Sequence, residues 1–593
     1  MKLSDYVFRF ISEQKVNSVF MLPGGGAMHL VDSLGKSGLE YICCLHEQAA
    51  VIAADAYAQY TGRIGVVLVT TGPGGTNAIT GVAGSWIDSV PILVLSGQVK
   101  RKDMLRGTGL RQKGVQELDI VSLVKPITKY AITVMEPMEI KSHLEKAVYM
   151  AKSGRPGPVW IDIPLDVQAA NIEEEELKPF DPSEVNTDTC LDLERKIEQT
   201  VKLLNGSKRP VILAGNGIRL ANALKDFLEL IEYLKIPVLT TWKAIDFLPE
   251  KHELFVGRPG SIGQRGANFI LQNSDLLISI GARLDLAQVG FNYQNLAPKA
   301  KKIIVDIDPA EIAKIKTEIA VSVCCDARDF ILESLKQKNK IKCSDWSEWL
   351  SWCRKRKEKY PVVLPEYYAE KDYVNTYVFI DVLSDLMEEN DILVPGSSGS
   401  CSEITMQSFR VKKGQRIFNN PGLGAMGYGL PASIGACIAS GRKRVISIIG
   451  DGGLQHNIQE LETVARLQLP LKIFILNNNG YASIRNMQKG HFKGRLVGCD
   501  PSSGLTLPDT CKIAAAYGLR NTKINSHEEI REKVKKVLET EGPIICELMI
   551  NPDMPTAPRL VSEVRPDGSI VSKPLEDLWP YLSRKELREN LLD

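Results

Sequence analysis

Two polar clusters follow two buried-strand patterns in the second half of the chain. Asp451 stands in a Gly-Asp-Gly-Gly sequence after the apolar run 445–449, and Asn478 stands in Asn-Asn-Asn after the run 473–476. A helical pattern separates the runs, which predicts a β-α-β unit with both clusters at the carboxyl edge of its strands. Carboxylate and amide oxygens suit Mg²⁺ better than zinc or copper, and glycine amides at a helix start attract anions. These residues therefore predict a magnesium ion beside a phosphate group.

Alternating apolar runs and helical patterns extend through most of the chain. Because the runs are short and apolar throughout, they predict parallel sheets covered by helices on both faces, with ligands beyond the carboxyl ends of the strands. We predict an α/β protein with three doubly wound parallel-sheet domains, two linkers and an extended C-terminal arm. The predicted ranges are 1–172, 196–340 and 373–552 for the domains, 173–195 and 341–372 for the linkers, and 553–593 for the arm.

The composition excludes several classes of function. Of 593 residues, 44% are hydrophobic and 24% are charged, and the net charge of +2 gives no electrostatic reason to bind nucleic acid or an acidic membrane. No apolar run approaches the length of a membrane span, and the first residues read as an amphipathic helix. The twelve cysteines contain no CxxC pair, which favours free thiols in a reducing cytoplasm.

The Gly-Asp-Gly sequence, the 24 residues 453–476 and the following Asn-Asn resemble the fingerprint of thiamine diphosphate (ThDP) enzymes. Further segments extend this resemblance over nearly the whole chain. They are PGGGAMHLVDSL (23–34), LHEQAAVIAADAYAQYTG (45–62), TTGPGGTNAITGVAGSWIDSVPILVLSGQV (70–99), GRPGPVWIDIP (154–164), DIDPAEI (306–312) and GLGAMGYGLPASIGA (422–436). Together they resemble the ThDP-dependent two-oxoacid enzymes, and within them the acetolactate (acetohydroxyacid) synthase catalytic subunits.

This resemblance implies a pyrimidine-binding, a central Rossmann-like and a diphosphate-binding domain, in that order. It implies ThDP and Mg²⁺ as cofactors and a homodimer or homotetramer with active sites between subunits. The implied reaction decarboxylates a two-oxoacid, most simply pyruvate, and joins the remaining unit to an acceptor carbonyl. Simple decarboxylation and ThDP-dependent C–C hydrolysis are the alternatives, and a non-catalytic protein on the same fold is the alternative of another class. The sequence contains Glu47, Asp451 and Asn478, which argues against a non-catalytic protein.

Two residues match catalytic positions of the family. Glu47 matches the glutamate that hydrogen-bonds the aminopyrimidine ring of ThDP, a task that needs a carboxyl group in a mostly apolar pocket. Gln116 matches an active-site glutamine of the synthases, although its flanking sequence departs from the family and a surface amide on a helix is the alternative.

The cofactor residues implied by the resemblance surround the same motifs. Met426 matches the large residue that holds ThDP in a bent conformation, and the carbonyl of Gly480 joins Asp451 and Asn478 as a Mg²⁺ ligand. The cofactor-binding residues are Gly25, Pro73, Asn77, Gly399, Ser400, Gly424, Met426, Asp451, Gly452, Gly453, Asn478 and Gly480.

The substrate pocket departs from the synthase pattern. Met487 stands where the synthases have a tryptophan, Leu165 where they have a lysine and Val115 where they have a phenylalanine. His29, in the loop after the first strand, completes the candidate pocket. Exchanges of this size discriminate substrates by a few kcal/mol, so the acceptor of acetolactate synthesis does not carry over to this chain from the resemblance alone, and a larger carbonyl compound is an alternative acceptor.

The central domain resembles the FAD-binding domain of the synthases and the pyruvate oxidases. Arg258, Arg283 and Asp306 are the candidate FAD residues, with FAD as a structural cofactor. Flavin-free relatives share this domain, so the pattern leaves FAD open. The arm, over 553–580, is a candidate lid because it is extended and rich in proline.

Overall fold

Three parallel six-stranded sheets form the body of the computed structural model, which describes residues 1–105, 107–185, 192–342, 345–565 and 567–592. Helices flank each sheet, so the predicted α/β class with three parallel-sheet units is confirmed. Within the described residues, no helix has the length and apolar character needed to cross a bilayer.

The first sheet has the strand order β2-β1-β3-β4-β6-β5. Its strands are β1 (Ser18–Met21), β2 (Glu40–Cys43), β3 (Gly65–Val69), β4 (Ile92–Gln98), β5 (Tyr130–Thr133) and β6 (Val159–Pro164). Its helices are α1 (Leu3–Glu13), α2 (Met28–Lys36), α3 (Glu47–Thr61), α4 (Pro73–Ile87), α5 (Ile120–Val124), α6 (Ile140–Lys152) and α7 (Leu165–Gln168). Strand β3 is buried along its whole length, as its continuous apolar sequence predicts for a central parallel strand.

The second sheet has the order β12-β11-β10-β7-β8-β9. Its strands are β7 (Pro210–Ala214), β8 (Val238–Thr240), β9 (Phe255–Gly257), β10 (Leu276–Ile280), β11 (Lys301–Asp306) and β12 (Val321–Cys324). Its helices are α8 (Leu193–Asn205), α9 (Gly217–Leu220), α10 (Leu224–Leu234), α11 (Arg265–Asn273), α12 (Pro309–Ala313), α13 (Ala327–Lys336) and α14 (Ser347–Lys359). The strand order reverses between β10 and β7, and such a switch point opens a crevice for a ligand.

The third sheet has the order β14-β13-β15-β16-β18-β17. Its strands are β13 (Ile392–Pro395), β14 (Arg416–Ile417), β15 (Val445–Gly450), β16 (Leu471–Asn477), β17 (Arg520–Ile524) and β18 (Ile544–Met549). Its helices are α15 (Thr376–Leu386), α16 (Ser400–Ser408), α17 (Gly429–Ala439), α18 (Asp451–Leu454), α19 (Glu460–Arg466), α20 (Ala482–His491), α21 (Thr510–Ala516) and α22 (His527–Glu539). Strands β15 and β16 are neighbours, as predicted for the β-α-β unit.

Helices α3 and α17 pack closely against each other and join the first sheet region to the third. A Cβ atom at Gly435 of α17 would come within 2.0 Å of the carbonyl oxygen of Ala53 on α3. The many alanines and glycines of the two helices therefore permit a close approach of their backbones.

The arm is docked on the second sheet region. It contains the antiparallel strands β19 (Ser562–Val564) and β20 (Ile570–Ser572) and the helix α23 (Arg584–Glu589). Leu575 and Leu578 are fully buried, and the Asn268 side-chain amide donates to the carbonyl oxygen of Leu575 at 2.7 Å. The prediction that the arm acts as a lid stays a prediction.

Candidate active site

The ends of β15 and β16 bring the two predicted metal ligands to one edge of the third sheet. Asp451 begins α18 directly after β15, and Asn478 follows the last residue of β16. Their side chains are 3% and 7% exposed. One carboxylate oxygen of Asp451, Oδ2, accepts a hydrogen bond from the amide of Gly480 at 3.1 Å. The three predicted magnesium ligands therefore belong to neighbouring loops at the same sheet edge.

Two buried oxygens at this edge have no hydrogen-bond donor among the described residues. They are the Oδ1 atoms of Asp451 and Asn478. Burial raises the pKa of Asp451 to about 6, although the backbone amides of Gly480 and Gly452 oppose this shift. Buried acceptors without a partner are costly, and a cation removes the cost. The donor set of a carboxylate, an amide and a nearby carbonyl fits Mg²⁺.

Glycines open the space around these ligands. A Cβ atom at Gly452 would come within 2.3 Å of the ring of Tyr481, and one at Gly480 within 2.1 Å of the carbonyl oxygen of Cys499. Gly480 also has a positive φ of 143°, which side-chain-bearing residues rarely adopt. Gly453 lies in the first turn of α18. The chain thus presents backbone rather than side chains to a phosphate at this helix start.

A second loop supplies backbone near the same edge. Gly399 has a positive φ of 69° and precedes α16, whose first residue is Ser400. A Cβ atom at Gly399 would lie 3.3 Å from the hydroxyl of Ser483, at the start of α20. Gly424 also has a positive φ, of 65°, and Met426 beside it is 40% exposed.

Glu47 lies at the start of α3 in the first sheet region. Its side chain is 6% exposed, and its Oε2 atom accepts a hydrogen bond from the Asn77 side-chain amide at 3.0 Å. Asn77 lies on α4, which begins at Pro73. The contact links two residues that sequence analysis assigned to the cofactor, and it orients the carboxylate of Glu47.

The residues predicted for the substrate pocket range from half-buried to largely exposed. Val115 is 85% exposed and Met487, on α20, is 47% exposed. His29 is half-buried on α2, and burial lowers its pKa. Leu165 begins α7, and Gly25 begins a short turn before α2. Gln116 is exposed on a loop with a φ of 64°, so the alternative of a helical amide does not describe it.

A cavity of about 1230 Å³ lies where the three sheet regions meet. It opens at the switch point of the second sheet, where Asn216 and Gly217 follow β7 and Asp306 ends β11. Arg283 lines it and donates to the carbonyl oxygen of Ile87 at 3.0 Å. Burial raises the pKa of Asp306. The volume of this cavity exceeds the ~300–1,000 Å³ of ordinary small-molecule pockets, so the cavity has room for a ligand of dinucleotide size.

The cavity also reaches the third sheet. Ser398, Gly399 and Gly424 line it beside the central-domain residues. Arg258 does not line this cavity, because its guanidinium is fully buried elsewhere. Its Nη2 atom donates to the carbonyl oxygen of Phe409 at 2.9 Å, and its Nη1 atom lies 3.5 Å from Glu250. Arg258 therefore joins two sheet regions, and we do not carry it into the cofactor proposal.

Family comparisons match consecutive parts of the chain. The thiamine pyrophosphate enzyme N-terminal TPP binding domain matches residues 1–123, the central domain matches 197–334 and the C-terminal TPP binding domain matches 397–548. The chain belongs to the thiamine pyrophosphate enzyme family. Thiamine pyrophosphate is another name for ThDP, so the predicted resemblance is confirmed.

Relatives of this thiamine pyrophosphate enzyme match over most of its length. The acetolactate synthase large subunit of Corynebacterium glutamicum is 35% identical over 558 residues, which cover 92% of this chain and 86% of that protein. The acetolactate synthase isozyme 2 large subunit of Escherichia coli is 32% identical, with 93% and 96% covered. The chloroplastic acetolactate synthase 1 of Nicotiana tabacum is also 32% identical, with 93% and 82% covered.

Two residues that support the site of this thiamine pyrophosphate enzyme were missed by sequence analysis. Arg485 is buried on α20 and donates to the backbone carbonyl of Asn478 at 3.1 Å. Glu460, on α19, accepts from the amide of Leu45 at 2.8 Å, two residues before Glu47. Both act through backbone contacts, which leave no motif in the sequence. Both helices also carry several other polar side chains, so no signal in the sequence singles out these two residues.

Proposed function

We propose that this chain is a ThDP- and Mg²⁺-dependent carboligase. It decarboxylates a two-oxoacid, most simply pyruvate, and joins the remaining two-carbon unit to an acceptor carbonyl. The observation that carries the proposal is the pair of buried, unpartnered oxygens on Asp451 and Asn478 beside a glycine-lined helix start. Relatives at 32–35% identity that are named acetolactate synthases support the carboligase class.

The third sheet region holds the cofactor in this proposal. Asp451, Asn478 and the carbonyl of Gly480 bind Mg²⁺, while the amides of Gly452 and Gly453 bind the diphosphate. Gly399 and Ser400 lie at the start of α16 and offer further donors to phosphate. Gly424 and Met426 support the aminopyrimidine ring.

When bound, ThDP supplies the carbon nucleophile and the electron sink that decarboxylation requires. The Asn77 amide keeps the carboxylate of Glu47 in position, where it would share a proton with a ring nitrogen of the bound cofactor. Burial of Glu47 excludes water, which strengthens this hydrogen bond. Pro73 begins the helix that carries Asn77 and fixes its direction.

A second copy of the chain completes the site. Val115, Met426 and Met487 expose apolar side chains at positions that the sequence resemblance predicts to lie near the cofactor or the substrate. Exposed apolar side chains at functional positions support an interface there. We therefore propose a homodimer or a homotetramer with Glu47 and Asp451 of one active site on different subunits.

The interdomain cavity is a candidate FAD site. Asp306 and Arg283 line it at the switch point of the central sheet, where dinucleotides bind in related folds. Asp306 is suited to accept hydrogen bonds from hydroxyl groups, and Arg283 to bind an anionic group. The absorbance spectrum of the purified protein tests this cofactor. Flavin absorbance bands that correspond to about one flavin per chain would support FAD binding. A colourless protein with full activity would contradict it.

The function is tested with pyruvate, ThDP and Mg²⁺, with and without a panel of carbonyl acceptors. We expect CO₂ release and an adduct with at least one acceptor, identified by mass spectrometry. Free acetaldehyde with no adduct would indicate the simple decarboxylase, and no CO₂ release would contradict the proposal. Because Met487, Val115 and Leu165 depart from the synthase pattern, the panel includes aldehydes and ketones larger than pyruvate.

A further inference from the structure

The loop between β4 and α5 carries two candidate active-site residues, Val115 and Gln116. We call residues 105–118 the acceptor loop; Arg106 within it lies outside the described residues. A Cβ atom at Gly72 would come within 2.2 Å of the carbonyl oxygen of Gln116. Gly72 immediately precedes α4, which carries Asn77, the partner of Glu47. The acceptor loop therefore lies directly against the helix that orients the candidate catalytic carboxylate.

Glu117 organises the acceptor loop from within. Its side chain is 5% exposed, although the loop around it is mostly exposed. Its Oε1 atom accepts from the amide of Leu105, at one end of the loop. Its Oε2 atom accepts from the amides of Lys113 at 3.1 Å and Gly114 at 3.0 Å. One carboxylate thus ties the beginning of the loop to its end through three charge-assisted hydrogen bonds.

Two further contacts fix the loop to the first sheet. The Gln98 side-chain amide, at the end of β4, donates to the carbonyl oxygen of Leu118 at 2.9 Å. A Cβ atom at Gly114 would come within 2.8 Å of the side chain of Val99. Among its described residues the loop forms no helix or strand, and the two backbone hydrogen bonds within it, from Thr108 to Leu105 and from Glu117 to Gly114, each span only three residues. The side-chain contacts of Glu117 and Gln98 therefore hold its more distant parts together.

We propose that Glu117 is a positioning residue that sets the fate of the two-carbon unit. It holds Val115 and Gln116 at the acceptor side of the active site, and this role rests on the proposed function. With the loop held, a carbon–carbon bond forms to the acceptor carbonyl. With the loop loosened, the two-carbon unit takes up a proton instead, and pyruvate yields acetaldehyde and CO₂.

The test compares the holoenzyme of Glu117→Ala, Glu117→Gln and the control Glu136→Ala, an exposed carboxylate of the same domain. Two quantities are measured: the rate of tryptic cleavage after Arg111 and Lys113, and the ratio of acetaldehyde to ligated product. We expect Glu117→Ala to raise cleavage at least tenfold and the ratio at least fivefold, while CO₂ release falls less than threefold. Glu117→Gln keeps one acceptor oxygen and should give intermediate values, and the control should match the wild type.

Cleavage within twofold of the wild type in Glu117→Ala would overturn the proposal. A proportional fall of both products, with an unchanged ratio, would also overturn it, because it would indicate only a general loss of folded enzyme. If the wild type released no CO₂, the proposed function would be contradicted. The proposed role of Glu117 in the choice of product would then be contradicted as well. The cleavage rates would then still decide whether Glu117 holds the loop.

Discussion

At the scale of single residues, the buried oxygens of Asp451 and Asn478 are the most informative atoms of the molecule. Folding has removed both from water without giving them a donor among the described residues, and the pKa of Asp451 is raised to about 6 by burial. A bound cation would stabilise the charged carboxylate of Asp451 and satisfy the unpartnered oxygens. In the proposed holoenzyme, Mg²⁺ binding would therefore stabilise the folded edge of the third sheet, and the preformed edge would favour Mg²⁺ binding.

Asp451→Ala should weaken Mg²⁺-dependent ThDP binding at least tenfold, because the only carboxylate among the three proposed ligands is lost. Isothermal titration calorimetry at fixed Mg²⁺ measures the affinity. Asp567→Ala, which removes an exposed carboxylate of the arm, is the control and should leave it unchanged. Equal affinities for Asp451→Ala and the wild type would exclude Asp451 as a metal ligand.

Glu47→Gln should bind ThDP within about threefold of the wild type and release CO₂ at least ~100-fold more slowly, as expected for the loss of a proton-transfer group. Glutamine keeps the size of the side chain and can still pair with Asn77, but it cannot share a proton with the cofactor ring. Stopped assays of CO₂ and calorimetry separate the two effects. A rate within twofold of the wild type would show that Glu47 has another role.

At the scale of elements, buried polar side chains join neighbouring strands of the first sheet. Asp162 on β6 is fully buried and accepts from Ser96 on β4 at 2.6 Å and from Thr133 on β5 at 3.1 Å. Burial raises the pKa of Asp162 to about 7 from its usual 3.8. The folded protein therefore retains a proton that the unfolded chain loses above about pH 4.

This retained proton predicts a pH dependence of stability. Between about pH 4 and pH 7 the folded state binds more protons than the unfolded state at Asp162, so its contribution to stability falls as pH rises, by about 1.4 kcal/mol per pH unit. Above pH 7 the contribution levels off. Urea unfolding at four pH values measures the free energy of unfolding of the wild type and of Asp162→Asn. If the difference between these two free energies were constant from about pH 4 to pH 7, the raised pKa of Asp162 would be contradicted.

The elements also show what the sequence could predict. Strands β15 and β16 were predicted because continuous apolar runs followed by Gly-Asp-Gly and Asn-Asn-Asn combine burial, chain reversal and ligand chemistry in adjacent residues. The acceptor loop was not predicted. Its shape depends on Glu117 and on the contact of Gln116 with Gly72, 44 positions earlier in the sequence. Side-chain contacts between distant segments leave no periodicity to detect.

At the scale of the whole molecule, one buried carboxylate joins all three sheet regions. Asp246 of the second region accepts from Arg219 at 2.7 Å and from Arg416 and the amide of Ile417 in the third region. Arg416 also donates to the carbonyl oxygen of Gln59 on α3, in the first region. Burial alone would raise the pKa of Asp246, but the two guanidinium groups outweigh it and hold the pKa below its usual value.

Asp246→Ala should destabilise the protein strongly, by about 3–5 kcal/mol, because it leaves two largely buried guanidinium groups without their shared anion. Burial already lowers the pKa of Arg219 to about 10 with Asp246 present, so its charge is costly once the carboxylate is removed. Arg416, one of the two partners of Asp246, also contacts α3, the helix that begins at Glu47. We therefore expect the variant to lose ThDP affinity together with thermal stability. Asp226→Ala, which removes a half-buried carboxylate from the first turn of α10, is the control. A thermal midpoint within 1–2 °C of the wild type, against the several degrees expected for such a loss, would show that the three regions are held together without Asp246.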